Sequence, residues 1–324
     1  MNYIYFFGGG KLMASIVDAL NKKKYKKNFK QYIFTSIRHS EEKISERLNL
    51  KQYLLKNKIK FEIINRIDKK IKNKIKKNSI GVSFGSAWIF KSDFIKIFNN
   101  KLYNVHGSDL PEDRGGGGFS WQILSNRKYL TSTIHYLKPG IDKGEIIFKN
   151  KTLVTKKLLP SERQKIYEKE TKFFFMSKLK KLFKKKLNKK KQDEKNSSYW
   201  PRLNSKIHGW IDWSWTPKEI NEFVKAFDNP YEGAKTKLNK MTVYLKKCSI
   251  KKSKTQYHPF QTGIIIRKNK NYISVSCKNF ILNFKEIFNK NKKKIDYKKI
   301  KIGDRFNTPY LVLEKALNTR VKYK

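Results

Sequence analysis

The sequence predicts an α/β protein in two parts: a doubly wound, mostly parallel sheet, then a smaller β-barrel domain. Three observations carry this. The first half alternates short β-rich runs with amphipathic stretches, the rhythm of βαβ units. A lysine-rich stretch with few apolar residues then interrupts the pattern. After it come short strands with polar turns and no long crossover helix, which suits a small barrel. A chain of 324 residues exceeds what one core usually spans, so two domains are expected: 1–183, a linker at 184–204, and 205–324.

Each element has its own signal. Residues 3–7 read as a buried strand that meets Gly8, Gly9 and Gly10, with a helix over 11–20. A second strand covers 29–36. A helix is expected over 41–56, with Ile44, Leu48, Tyr53, Leu54 and Leu55 among its apolar positions. Strands at 61–64, 79–84 and 101–105 alternate with helices near 67–77 and 91–98. A later strand pair falls at 131–137 and 145–150. Pro160 and Ser161 open a long helix, in which Ser161 and Gln164 have capping-box spacing. Residues 184–198 read as a solvated helix end and linker. Beyond it, Ile211-Asp212-Trp213 opens a new unit with a helix at 217–227. Strands follow at 241–248, 263–267, 272–277 and 280–284, with a last one near 310–313.

The net charge is +50, an obvious invitation to read a nucleic-acid or membrane-surface binder. Of the 76 basic residues only ten are arginine, however, and asparagine, isoleucine, tyrosine and phenylalanine are also abundant. Phosphate recognition favours arginine forks and a patch on one face. A compositional bias spread along the chain is the preferred reading. Apolar residues at 38% and aromatics at 14% support packed cores. Cys248 and Cys277 form no disulfide or zinc pattern and suit a reducing compartment. The N-terminus lacks a signal-peptide pattern, and no run of about 18 apolar residues exists. A cytoplasmic protein is expected.

The densest chemical signal is residues 104–115, Asn-Val-His-Gly-Ser-Asp-Leu-Pro-Glu-Asp-Arg-Gly. Asn104 and His106 stand two apart on a strand and project to one side. The end of a parallel strand is where such sheets place their chemistry. Downstream, Gly140-Ile141-Asp142-Lys143-Gly144 forms a tight loop whose glycines let the backbone approach a ligand. A carboxylate beside an imidazole orients it and favours its charged form. Amide, imidazole and carboxylate together suit acyl transfer to an amine, with donors for an oxyanion and a group to move a proton. Singly, Asn104 and Asp142 read as turn residues and His106 as a structural histidine. As a set beside the glycine-rich 114–118 loop, they read as catalytic.

These residues resemble the folate-dependent formyltransferase family, which includes methionyl-tRNA formyltransferase and sugar-nucleotide N-formyltransferases. The family's pattern is matched by Asn104, His106, Ser108, Leu110-Pro111, Arg114-Gly115 and the Gly140 to Gly144 loop. Weaker similarity continues through Trp200-Pro201-Arg202, Ile211-Asp212-Trp213 and residues 226–234. The resemblance implies a Rossmann-like catalytic domain with an OB-like barrel and a catalytic Asn104, His106 and Asp142. It also implies a 10-formyltetrahydrofolate donor. By analogy Phe84, Gly85, Ser86, Ala87, Trp88 and Ile89, with Gly140 and Ile141, flank the folate. Gly8, Gly9 and Gly10, with Ser108, Arg114 and Gly115, are assigned to the acceptor side. The basic insertion that the tRNA enzyme carries after its second strand is not evident at 35–40. The proline common after its Arg-Gly is missing. The first glycine loop also differs, reading Gly8-Gly9-Gly10-Lys11. These departures favour a small amine acceptor, an amino-sugar nucleotide, with initiator methionyl-tRNA as the alternative. A non-catalytic nucleic-acid binder on the same scaffold is the alternative of another class. A homodimer is left open.

Other signals carry less. The Gly8 to Lys11 run lacks P-loop spacing. His39, His135, His208 and His258 match no metal spacing, no metal is expected, and His135 reads as structural. Trp210, Trp213 and Trp215 read as packing.

Overall fold

The computed structural model describes residues 2–116, 118–155 and 157–321. Gly117 of the glycine-rich loop and residues 322–324 of the expected second domain therefore lie outside it.

The first half runs β1 (Asn2–Gly8), α1 (Gly10–Asn21), α2 (Lys23–Lys26), β2 (Phe29–Thr35), α3 (Ile37–Ser40), α4 (Leu50–Lys56), β3 (Phe61–Ile63), α5 (Lys69–Lys74), β4 (Ser79–Phe84), α6 (Ser92–Ile97) and β5 (Leu102–His106). It continues with β6 (Arg114–Gly115), α7 (Phe119–Leu124), β7 (Tyr129–Tyr136), β8 (Ile146–Leu153) and α8 (Pro160–Leu182). Seven strands form one sheet in the order β3-β2-β1-β4-β5-β7-β8. The first five are parallel and the last two antiparallel.

Strand alternation covers both faces. Ile4 and Phe6 of β1 pack in one cluster with residues of α1, α4 and α8. Tyr5 and Phe7 pack in another with residues of α5 and α6. The period-2 geometry of a strand sends successive side chains to opposite faces, so a doubly wound sheet needs a strand apolar throughout.

The second half runs β9 (Tyr199–Trp200), α9 (Ser205–His208), α10 (Pro217–Ala226), β10 (Ala234–Leu238), β11 (Met241–Lys252), β12 (Ile265–Lys268), β13 (Ile273–Cys277), β14 (Phe280–Phe288), β15 (Phe306–Asn307) and α11 (Tyr310–Asn318). Its sheet order is β12-β13-β14-β11-β10-β15, antiparallel throughout. An antiparallel bridge from Ile264 to Arg305 joins the two edges and curls the sheet into a half-barrel. Thr216 and Glu219 form a capping box at the start of α10, which packs on β11 and on α7. Ile123 of α7 belongs to this second core, and Ser120 Oγ donates to Ala226 O at 2.7 Å. Trp213 stacks on Phe306, and Cys248 and Cys277 are buried.

Several expectations are corrected. The helix over 41–56 is only α4. Asn49 caps it through a capping box with Gln52, and residues 41–48 form a loop in which Ser45 Oγ accepts from Leu48 N–H. Local side-chain bonds compete with helix at such polar residues. The long helix is not capped by Ser161 and Gln164. Pro160 takes its first position, so Glu162 is the residue that reaches back, accepting from Leu159 N–H at 2.7 Å. The strand near 310–313 is the helix α11, preceded by Pro309. A short apolar run does not distinguish strand from helix by periodicity. Strand β10 was not anticipated. Residues 184–198 are not a free solvated linker: Lys190 bridges Ile146, and Gln192 is buried. No helix among the described residues is long and apolar enough to cross a membrane.

Candidate active site

Asn104 and His106 close β5, where register sets Asn104 between Ser83 of β4 and His135 of β7. Both are buried. Because β7 runs against β5, its end lies away from His106, and the 137–145 loop must fold back over the sheet to reach the site. Gly144 makes that return possible. A Cβ there would lie 1.6 Å from Tyr136 O. The return carries Asp142, at φ 52, onto the same spot.

The contacts are specific. Asn104 Nδ2 donates to Asp142 Oδ1 at 3.2 Å and lies 3.1 Å from His135 Nε2. His135 Nδ1 is 2.8 Å from Tyr136 O, so it carries the hydrogen and leaves Nε2 to accept from the amide. His106 Nε2 lies 2.8 Å from Asp113 O and 2.7 Å from Ser108 Oγ, whose hydroxyl donates to Asp113 O. Nε2 therefore holds a hydrogen, and Nδ1 is the nitrogen presented to Asp142 Oδ2, 3.6 Å away. Gly115 N–H donates to that same carboxylate oxygen at 2.9 Å.

Electrostatics agree with this geometry. Burial pushes the Asp142 carboxyl up, but the imidazoles of His106 and His135 and the Gly115 N–H outweigh it. They hold the group well below the usual carboxylate range. Asp142 is thus an anion, and Asn104 Nδ2 and the Gly115 N–H donate to it.

The expected neighbours fall in different places. Ser108 and Gly115 support the trio from behind. The Arg114 guanidinium is buried, and four of its five N–H groups bond to Gln192 and Glu194 within the chain. Gly8, at φ 117, lies against Phe84, whose carbonyl accepts from Gly9 N–H at 3.3 Å. The Phe84 ring is core, packed on Phe6 and Phe175, and leaves only main chain to offer a ligand. Ser86 Oγ accepts from Ser83 Oγ, Trp88 Nε1 donates to Asn65 O, and Gly85 has φ 56. Ile89 and Ile141 are exposed, and Gly140 has φ 98. Ala87 is exposed in the same loop. Among the described residues no cluster of three His, Cys, Asp or Glu side chains is placed to hold a metal ion.

Two residues at the site escaped sequence reading. His135, expected to be merely structural, touches Asn104 and stands 3.6 Å from Asp142 Oδ1. Its only sequence signal was a histidine on a strand. Gln192 sat in a lysine run with no signal at all. His39 is a third buried group nearby, packed against Gly9, and burial together with Arg38 and Arg202 lowers its pKa to about 4. A cavity of about 640 Å³ opens between α7, α10 and α11. Trp121, Tyr199, Trp215 and Phe223 line it, with Arg202 and Arg320 and the acidic Asp212, Glu219 and Glu222 around them.

The sequence profile described as formyl transferase matches residues 1–177, more than half of the chain, and that of the formyl transferase C-terminal domain matches 204–305. The chain belongs to the formyl transferase family. Among curated relatives of this family member, the methionyl-tRNA formyltransferase of Clostridium perfringens strain SM101 is 27% identical over 203 residues, 63% of each chain. The bifunctional polymyxin resistance protein ArnA of Wigglesworthia glossinidia brevipalpis is 29% identical over 62% of this chain. The chain spans 63% of the length of the first relative and 30% of that of the second. In fold it is similar to a solved N-formyltransferase from Helicobacter canadensis, in complex with folinic acid and dTDP-3-aminofucose. That similarity has a TM-score of 0.67 and 20% identity, covering 88% of this chain and 99% of that one.

Proposed function

We propose that this formyl transferase family member moves a formyl group from 10-formyltetrahydrofolate to the amine of an amino-sugar nucleotide. The observation that carries the chemistry is the convergence of Asn104, His106 and the anionic Asp142 at the end of β5. The acceptor nitrogen bonds to the formyl carbon, and the bond from that carbon to N10 of the folate breaks. Asn104 gives one of its two amide hydrogens to the oxyanion in exchange for Asp142, and His106, in the imidazolium form that pairs with Asp142, donates from Nδ1 while Nε2 keeps its own hydrogen. Asp142 takes the amine proton, directly or through water, and the same proton is passed on to N10 as it leaves, so none is gained or lost overall. No covalent enzyme intermediate is needed, because positioning supplies much of the rate. The exposed Ile89 and Ile141 and the main chain of 84–86 and 140 are the surfaces offered to the folate.

Three observations support a small acceptor. Strand β2 passes directly into α3, capped by Ser36, with no basic insertion between them. Lys27, just after α2, and Lys180 of α8 share a pocket with Asn2 and Phe29 at the amino ends of β1 and β2. A seven-residue strand places them about 20 Å from the carboxyl-end site, so they do not frame it. The aromatic cavity with its two arginines is of a size for a base and sugar. Methionyl-tRNA is the second reading, favoured by the names of the curated relatives. An acceptor screen separates them. The protein and 10-formyltetrahydrofolate are offered a panel of amino-sugar nucleotides and, separately, methionyl-tRNA, following tetrahydrofolate release. Turnover with a sugar nucleotide supports the proposal. Turnover with methionyl-tRNA alone replaces the acceptor, and no turnover with either refutes both.

A further inference from the structure

Gln192 lies in the lysine-rich stretch between the two sheets, yet it is only 5% exposed. Its amide nitrogen donates to the carbonyls of Asp142 and Gly144, both at 2.7 Å. Its amide oxygen accepts from Arg114 Nε at 3.1 Å and Nη2 at 2.9 Å. Arg114 also donates to both carboxylate oxygens of Glu194, at 2.9 and 2.8 Å. Its main chain pairs with β9, where Arg114 N–H donates to Ser198 O and Gly116 N–H to Trp200 O. Gly115, the next residue, donates to the Asp142 carboxylate. These bonds close a ring: Asp142 main chain, Gln192, the Arg114 side chain, Gly115, and back to the Asp142 carboxylate.

The ring grips Asp142 at both ends. Its backbone occupies the left-handed region, which an aspartate tolerates but must be held in. We infer that Gln192 is a positioning residue that holds the Asp142 carboxylate against Asn104 and His106. This rests on the role proposed above for Asp142 in formyl transfer. The side chain is chemically constrained. Glutamate has no hydrogens for two carbonyls, lysine has no acceptor for a guanidinium, and asparagine is one methylene short. Methionine keeps the shape and loses every bond. The stretch joining the two halves of the molecule thereby becomes part of the site's support, where chain composition suggests only solvent.

The test compares the full-length wild type with Gln192→Met and Gln192→Glu. Formyl transfer is followed for kcat and KM, thermal unfolding for stability, and the amide spectrum for the Gly115 N–H. The expected result is a fall in kcat on the order of 10²-fold, with the KM for 10-formyltetrahydrofolate little changed. The Gly115 amide proton also loses the downfield position of a group bonded to a carboxylate. Should Gln192→Met fail to fold, Glu194→Gln alters only an exposed carboxylate and loosens Arg114, with a smaller fall in kcat and the same Gly115 shift in direction. A Gly115 signal identical to wild type in the folded variants overturns the inference, whether or not kcat falls. A wild type that transfers no formyl group counts against the proposed function, and the Gly115 signal then still decides whether Gln192 places Asp142.

Discussion

The corner at the end of β5 and the C-terminal half-barrel use buried groups in opposite ways. At the corner, Asn104, His106, Ser108, Arg114, His135 and Gln192 are buried polar side chains that bond to one another, to Asp142 and to nearby main chain. The barrel interior is mostly aliphatic and aromatic, with Trp213, Phe284 and Phe306 ring against ring and a few buried hydroxyls, such as Thr236 and Ser276, bonded to main chain. Its two buried lysines bond at the margin: Lys235 Nζ donates to Lys206 O at 2.6 Å and Lys246 Nζ to Asn229 Oδ1 at 2.8 Å. Non-directional burial makes a stable support, while a satisfied polar network makes a specific geometry. Damage to the barrel should therefore appear as lost stability, and damage to the corner as lost chemistry.

Three measurements would break or sharpen that contrast. Phe284→Ala in the barrel should destabilise the chain by about 3 to 5 kcal/mol, read by denaturant unfolding, because its ring is fully buried. Formyl transfer per folded molecule should change little, and a large fall there would mean the barrel shapes the chemistry directly. His106→Ala should do the reverse. We expect kcat/KM to drop on the order of 10³-fold, about 4 kcal/mol, with a small change in melting temperature. Retained activity would remove His106 from the mechanism.

The third measurement concerns pH. His39 has a folded pKa of about 4 against an ordinary 6.5, so between those values the unfolded chain holds a proton that the folded chain does not. Stability should fall as pH drops from about 6.5 to about 4, by at most about 3 kcal/mol, and this contribution should be constant outside the window. His39→Gln should flatten that part of the curve. An unchanged curve would mean that the imidazole charges without penalty in place. Asp142, held low, loses its own contribution only at more acid pH.

Much of this arrangement could be read before the fold was known. The β1, β2, β4 and β5 strands are runs of aromatic and branched residues with polar punctuation, and such periodicity is a property of neighbours in the chain. Asn104 and His106 share a strand, so their common side follows from the pleat alone. Where neighbours were ambiguous, reading failed. Residues 41–48 looked helical until Ser45 and Asn49 bound backbone, and 310–313 looked like a strand although Pro309 starts a helix there.

The sequence by itself determined the two-part architecture, the strand that carries Asn104 and His106, and the glycine-flanked loop that carries Asp142. Those rest on local pattern and on residue chemistry. Tertiary structure alone decided who stands beside them. His135 meets Asn104 across 31 residues, Gln192 meets Asp142 across 50, and Arg114 meets Gln192 across 78. The first pairing depends on the register of an antiparallel strand, and the others on a connecting segment folding back along the sheet. Such contacts leave no period in the chain. The hydrogen-bonding demand of a buried guanidinium and of the Asp142 and Gly144 carbonyls selects the residue that meets them, and that demand exists only once the chain has closed around it.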